Sequence, residues 1–357
     1  MLKELGGPFL GSLFVLTIIL AAGNIIQTVD MVMNKGVDLI QVVYIFLCFL
    51  PYVLIFTIPI SVLSAVLLGF GRLSGDNEIT ALRTNGISVY KIFLPVVICG
   101  FIISLSNIPL NDRILPQAEF KARKLVKTIG LNHPAAMLES GVFIKGFKDY
   151  IIFINYVNGT DLEGIRIYQP REDKPTRTIV AEKGEIISVP EENSIKLRLE
   201  NGTADDIAPD KPDEFYKVSF KEYFMTLNME KTVDVNKIQK KPREKSVKEL
   251  LRDIEDFENR NITTIPLRIE LHKKIALAFS NLVFVLVGVP LAVTTHRREK
   301  FIGLGLAIVL FLIYWGIMLT GIAFAIRNVV PAWAGVWSAD ILLSLTGLYM
   351  LYKLSRH

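Results

Sequence analysis

The chain has 357 residues, 51% of them hydrophobic, and a formal net charge of +5. Bulk composition does not separate it from a soluble protein, because soluble domains are roughly 45–50% apolar; the distribution of charge does. Two cysteines and four histidines exclude a disulfide framework and offer no clustered metal ligands.

Six apolar runs appear in chain order: Phe9 to Val29, Leu39 to Gly71, Ile92 to Asn111, Ile275 to Thr295, Phe301 to Ile326 and Trp333 to Tyr352. The first five carry no Asp, Glu, Lys or Arg, and the sixth carries only Asp340. A run of about 18 or more apolar residues crosses roughly 30 Å of hydrocarbon as a helix. Six of them argue against buried helices of a soluble protein. The first is too long for a cleavable signal peptide, with only Lys3 before it and no small-x-small site after it. Both cysteines, Cys48 and Cys99, lie in predicted spans.

With the N-terminus in the cytoplasm, the cytoplasmic segments hold Lys3, Arg72, Arg83, Lys91, Arg297, Arg298, Lys300, Lys353 and Arg356. The short external loops hold Lys35 and Arg327. This excess fits the positive-inside rule with both termini cytoplasmic. The polar region between the third and fourth spans then falls outside the cell membrane, in the periplasm where an outer membrane exists. The expected organisation is residues 1–111 as three spans with a cytoplasmic loop at 71–91, residues 112–266 as a β-domain with helical linkers, and residues 267–357 as three more spans.

Between the second and third spans, Gly71 to Ser88 carries a short polar stretch. Ser74 or Asp76 is a candidate cap for a helix of two to three turns, and Asn85-Gly86 a candidate end. Ile79 and Leu82 would share one face, with Glu78 and Arg83 beside them. Such a helix can sit in a groove of another protein, and a plain surface loop is the alternative.

Within residues 112–266, Pro116 to Ile129 reads as a helical extension of the third span. Eight short runs rich in Ile, Val, Tyr and Phe follow: 142–144, 150–157, 164–168, 177–181, 185–189, 194–199, 214–220 and 223–229. Turn signals at Asn158-Gly159, Lys183-Gly184 and Asn201-Gly202 predict a β-sandwich or jelly roll. The Asn-x-Thr triplets at Asn158 and Asn201 read as hairpin turns. The acid pairs Asp205-Asp206 and Glu191-Glu192 read as solvated turns. Ser246 to Glu249 reads as a capping box opening a helix to about Asn259. Its stripe of Val247, Leu250, Leu251, Ile254 and Phe257 is expected to pack on the β-domain or the membrane. Pro51, Pro59 and Pro290 are expected to kink or weaken their helices. No phosphate-cradling loop ending in Gly-Lys-Ser/Thr occurs, and no catalytic triad.

The segments GRLSGDNEITALRTNGIS, KPREKSVKELL, IELHKKIALAFSNLVFVLVGVPLAV and WSADILLSLTGLYML, in this order and spacing, resemble the lipopolysaccharide export permeases of the LptF/LptG family over essentially the whole chain. ELHKKIAL is nearer the F branch. The resemblance implies an α-helical integral membrane protein of six transmembrane helices with an inserted all-β, jelly-roll-like periplasmic domain. It implies pairing with a second permease subunit, identical or paralogous, above an LptB-like ATPase dimer that binds ATP and Mg; this chain then has no cofactor of its own and is not an enzyme. Lipopolysaccharide would enter between spans one and five and pass to the β-domain, an LptC-like bitopic protein and a periplasmic bridge protein. Glu78 matches the family's coupling acid, with Ile79, Leu82 and Arg83 around it. Arg327, Lys35 and Arg113 are candidate substrate cations near the outer mouth, with interfacial anchoring as the alternative.

Two departures stand out. Gln27-Thr28-Val29-Asp30 replaces the cations that the family often carries at the outer end of span one. Asp340 is an intramembrane acid, either functional or reaching an interface or a water-filled cavity. The competing readings are a lipoprotein-releasing or efflux-type permease, whose domain order differs, and a membrane-anchored β-domain sensor, which lacks a signalling domain here.

Overall fold

A computed structural model describes residues 2–33, 38–132, 140–141, 143–147, 150–158, 160–171, 174–189, 194–208, 211–228, 239–260, 262–295 and 300–356. The chain divides into two compact units. One comprises Met1–Gly23, Leu47–Phe120 and Lys240–His357, and the other comprises Asn24–Phe46 and Lys121–Gln239.

The described helices are α1 (Leu2–Met33), α2 (Leu39–Gly75), α3 (Glu78–Thr84), α4 (Val89–Pro109), α5 (Leu115–Asn132), α6 (Val247–Asn259), α7 (Ile265–Thr295), α8 (Lys300–Ile326) and α9 (Ala332–Arg356). Six stretches are long and apolar enough to cross a membrane: Glu4–Ile25, Leu39–Gly75, Val89–Val126, Ile265–Thr294, Gly303–Ile326 and Ala332–Arg356. They cover the six apolar runs. In lipid each main-chain donor and acceptor must be satisfied within the segment, which is why such runs close as helices.

The core of the first unit gathers Phe70 and Leu63 of α2, Phe93 of α4, Phe284 and Val289 of α7, Tyr314 and Met318 of α8, and Ala339 of α9. Two close crossings organise α7 to α9. A Cβ on Gly321 would lie 2.0 Å from the Gly335 carbonyl oxygen, so α8 and α9 meet backbone to backbone. A Cβ on Gly347 would lie 2.6 Å from the Leu286 carbonyl oxygen. That carbonyl is the one to which Pro290 has no N–H to offer. Small residues at such crossings let membrane helices approach closely. Pro51 and Pro59 lie inside a continuous α2.

One linker expectation changes. Leu250 and Ile254 of α6, expected against the β-domain or the membrane, pack on Leu267 of α7, with Phe257 and Leu271 beside them. The short connection from α6 to α7 permits this, and an Arg268–Glu258 ion pair and Thr264 close it. The predicted capping box is present: Glu249 N donates to Ser246 Oγ at 3.3 Å, and Ser246 N donates to Glu249 Oε2 at 2.8 Å.

The second unit contains a six-stranded antiparallel sheet in the order β1-β2-β3-β4-β5-β6. Its strands are Phe143–Phe147, Tyr150–Asn158, Asp161–Arg171, Lys174–Val189, Ser194–Ala208 and Lys211–Asn228. The order is a meander rather than a Greek key. Eight predicted runs become six strands because 177–181 joins 185–189 in β4 through Lys183-Gly184 and 214–220 joins 223–229 in β6; the turn signal Asn201-Gly202 also lies inside a strand, β5. Gly184 pairs with Leu199, and Gly202 pairs with both Ala181 and Phe220. A Cβ on Gly202 would lie 2.5 Å from the Val180 carbonyl oxygen, and Asn201 beside it has φ 50°. Asn158 does end a strand, pairing with Asp161 across a two-residue connection. Asp205 and Asp206 lie within β5, opposite Lys217 and Tyr216, not in a turn. Glu191-Glu192 falls outside the described residues.

Alternate residues of this sheet form their own core: Ile152, Ile154, Leu162, Ile165, Ile167, Ile179, Ile186, Leu197, Leu199 and Leu227, most at 2% exposure or less. All described members of that core are strand residues.

Candidate functional site

A π-turn, Leu110–Ile114, follows Pro109 at the end of α4. Such turns free main-chain groups from the regular helical ladder. Here the turn buries Asn111, at 2% exposure, inside the helical unit. Asn111 Nδ2 donates to the Asn107 carbonyl at 3.0 Å, and the Asn111 carbonyl accepts from Lys274 Nζ of α7 at 3.1 Å. Lys274 also donates to the Arg243 carbonyl at 3.4 Å. An ammonium has three donors, so two neutral acceptors leave one N–H over. Lys274 is itself buried, at 6% exposure, and a buried cation held by neutral acceptors retains its attraction for an anion.

Arg243 sits in a one-turn 3₁₀ helix, Pro242–Glu244, ahead of α6. Its Nη2 meets Glu119 Oε1 at 2.6 Å, and its guanidinium lies 4.6 Å above the Tyr52 ring. Lys273 Nζ donates to Glu270 Oε1 at 3.2 Å, one turn back on α7. Asp112 Oδ1 accepts from Val247 N at 2.6 Å, which ties the start of α6 to the π-turn.

Asn111, Arg243, Glu270, Lys273 and Lys274 line a cavity of about 120 Å³ within the first unit. Its charged lining is Arg243, Lys273 and Lys274 against one acid, Glu270. Its apolar lining includes Tyr52, Phe56 and Trp315, joined edge to face at 5.2 and 5.1 Å. Glu119 meets the Arg243 charge and Glu270 the Lys273 charge, which leaves Lys274 as the cation beside the aromatic wall; that suits an amphiphile whose anionic group adjoins apolar chain. The planar fork of Arg243 adds the geometry that bonds two oxygens of a phosphate.

Sequence reasoning missed this cavity. Lys273-Lys274 read as the polar boundary of an apolar run beginning at Ile275, whereas α7 begins at Ile265 and carries both inward. The dipeptide was the available signal. The cations that were predicted lie elsewhere. Arg113 is in the π-turn and exposed, and Arg327 is exposed in the turn after α8; neither lines the cavity. Lys35 and its neighbours Asn34, Gly36 and Val37 lie outside the described residues, and nothing is stated of the side chains of residues 27–30.

Asp340 of α9 is buried at 3% exposure, against Tyr314 of α8. Tyr314 Oη donates to its Oδ2 at 3.4 Å, and its Oδ1 has no partner among the described residues.

The short helix between the second and third spans exists as α3. Neither predicted residue caps it. Ser74 Oγ donates to the Val293 carbonyl of α7 at 3.1 Å, and α2 runs on to Gly75. Asn77 takes the cap position in the left-handed conformation, φ 58°, with no side-chain bond. Asn85 ends the helix as expected, its Nδ2 donating to Ala81 O at 2.8 Å, and Gly86 follows at φ 82°. Ile79 is buried in the helical core and Leu82 packs against it. Glu78 is exposed and Arg83 half-buried. The apolar pair therefore anchors α3 to its own chain, and Glu78 heads the face left to solvent.

The sequence profile of the family described as "Lipopolysaccharide export system permease LptF/LptG" matches residues 1–353. An uncharacterised protein of Rickettsia prowazekii (strain Madrid E), RP871, is 26% identical over 145 residues. That alignment covers 40% of this chain and 40% of the relative, so the chain spans about two fifths of the curated relative that it matches.

Proposed function

The chain belongs to the LptF/LptG family of lipopolysaccharide export permeases, and from that membership we propose that it is a permease subunit of an ATP-binding-cassette transporter that lifts lipopolysaccharide, or a related anionic glycolipid, from the outer leaflet of the inner membrane. The observation that carries this reading is the cavity in which Arg243, Lys273 and Lys274 adjoin Tyr52, Phe56 and Trp315. A glycolipid phosphate would meet the spare N–H of Lys274 and compete with Glu119 for the fork of Arg243, and its acyl portion would meet the aromatic wall. Arg113 and Arg327, both exposed, would guide the phosphates before they reach the cavity.

ATP hydrolysis belongs to a partner. An LptB-like ATPase dimer that binds ATP and Mg would dock on the solvent face of α3, with Glu78 against a basic residue and Arg83 beside it. Ile79 and Leu82 would carry the resulting motion into the helical core. A second permease subunit would complete the transport path. The β-sheet, an LptC-like bitopic protein and a periplasmic bridge protein would receive the substrate in turn.

The test is export from proteoliposomes that contain the chain, its partner subunit and the ATPase. Wild type should release lipopolysaccharide to a soluble acceptor only with ATP. Lys274→Met and Arg243→Gln should each lower release about ten-fold or more, the worth of one charge-assisted hydrogen bond. ATP-driven release at the wild-type rate by both variants would remove the cavity from the substrate path.

A further inference from the structure

α1 buries one narrow face. Leu5 and Phe9 are half-buried, Ser12 and Leu16 are buried, and the residues between them, such as Leu10 and Phe14, are exposed. That spacing is the seam of an antiparallel helix pair. Its partner is α2, and four matched positions join the two. Glu4 Oε2 meets Arg72 Nη2 at 2.6 Å. Leu5 Cδ2 occupies the notch at Gly69, where a Cβ would lie 2.2 Å away. The Ser12 and Ser64 hydroxyls are 2.9 Å apart and buried. Thr17 Oγ1 donates to Thr57 Oγ1 at 3.4 Å. Ser61, between the last two rungs on α2, is also buried, and its Oγ has no partner among the described residues.

A polar rung inside a membrane helix pair fixes register, because sliding by one turn leaves both hydroxyls unsatisfied in hydrocarbon. Two rungs, a glycine notch and an ion pair along one seam leave little freedom for α1 to move apart from α2. The end of α2 at Gly75 is two residues from the start of α3. Ser74, in that last turn, is also tied to α7 through the Val293 carbonyl.

We propose that α1, α2 and α3 form one rigid lever, in which Glu4–Arg72 and Ser12–Ser64 are positioning contacts that deliver the displacement of α3 to α1. This rests on the reading of α3 as the element that an ATPase moves. It adds that α1 travels with the ATPase-bound segment, so any opening that α1 borders widens on its other side, away from α2.

The full transporter tests this in two ways. Ser12→Cys with Ser64→Cys, in a chain with Cys48→Ser and Cys99→Ser, should oxidise to a disulfide equally well in nucleotide-free and vanadate-trapped complexes. The disulfide should leave ATP-driven lipopolysaccharide release unchanged. Separately, Glu4→Arg and Arg72→Glu should each lower the lipopolysaccharide released per ATP hydrolysed by about five-fold. The double variant should restore it while all three variants insert and hydrolyse ATP at the wild-type level, a combination that a merely structural role for the pair would not produce. Failure of the disulfide to form, its formation in only one nucleotide state, loss of release that reductant restores, or no rescue by the charge swap would overturn the lever. Cross-linking in the two nucleotide states does not depend on transport. A wild-type complex that moves no lipopolysaccharide would therefore count against the proposed function and leave the lever readable.

Discussion

Single residues divide into those that anchor and those that face outward. On α3 the division falls between neighbours: Ile79 is 3% exposed and Glu78 is exposed. Glu78→Ala should therefore leave the fold intact and weaken contact with the ATPase. An exposed ion pair is worth only about 0–1 kcal/mol, so the loss of coupled export should be modest for alanine. Glu78→Lys should be more severe, because it sets like charges together. The check is the ratio of lipopolysaccharide released to ATP hydrolysed, with membrane insertion followed alongside. Normal ratios in both variants would take Glu78 out of the coupling contact. The short helix α3 was legible because its segment could be read alone. The cavity was not, because Tyr52, Glu119, Arg243 and Lys274 come from four separate stretches of chain, and no local pattern links them. Only the π-turn after Pro109 and the packing of α7 bring them together.

Elements were legible where one physical requirement dominates. An apolar run that must satisfy its own backbone in lipid has one solution, and the six spans cover the six runs, although Val89–Val126 and Ile265–Thr294 extend well beyond them. Strands were harder, because glycine serves both a hairpin and a bend. Gly184 and Gly202 sit where neighbouring atoms leave no room for a Cβ, so the ladder continues through them. The capping box of α6 was legible because it is local, and it yields a pH prediction. Burial raises the Glu249 carboxyl, but the Lys240 ammonium and the Ser246 N–H outweigh this and hold it below the ordinary carboxylate range. At Glu258 the Arg268 guanidinium does the same. A carboxyl depressed on folding stabilises the fold above its unfolded value, about 4.3 for Glu, and that stability is lost as pH falls through the folded value. Amide exchange of α6, corrected for intrinsic rates, should thus accelerate below about pH 4. Ser246→Ala should cost α6 about 1 kcal/mol at neutral pH. Exchange in α6 that is indifferent to both changes would show that packing on α7 alone holds the helix.

For the whole molecule, sidedness reduces to one binary choice. α3 lies between the second and third spans and the sheet between the third and fourth, so a single crossing separates them in the chain. In any six-span arrangement they face opposite sides of the membrane, and both termini share the side of α3. The choice is then set by the basic residues of the short segments: Lys3, Arg72, Arg83, Lys91, Arg297, Arg298, Lys300, Lys353 and Arg356 on the α3 side, against Lys35 and Arg327. Under the positive-inside rule that bias would put α3 in the cytoplasm, where ATP is, and the sheet in the periplasm, as the proposed function requires. A cysteine at Ser219, exposed on β6, and one at Thr80, exposed on α3, test the choice in a chain lacking Cys48 and Cys99. An impermeant maleimide applied to intact spheroplasts should label Ser219→Cys directly and Thr80→Cys only after lysis. The reverse pattern would invert the protein and remove α3 from reach of any cytoplasmic ATPase. Labelling of both from outside would break the parity itself, since it requires α4 not to cross the membrane. The coupling role proposed for α3 and the receiving role proposed for the sheet therefore stand or fall on the same crossing.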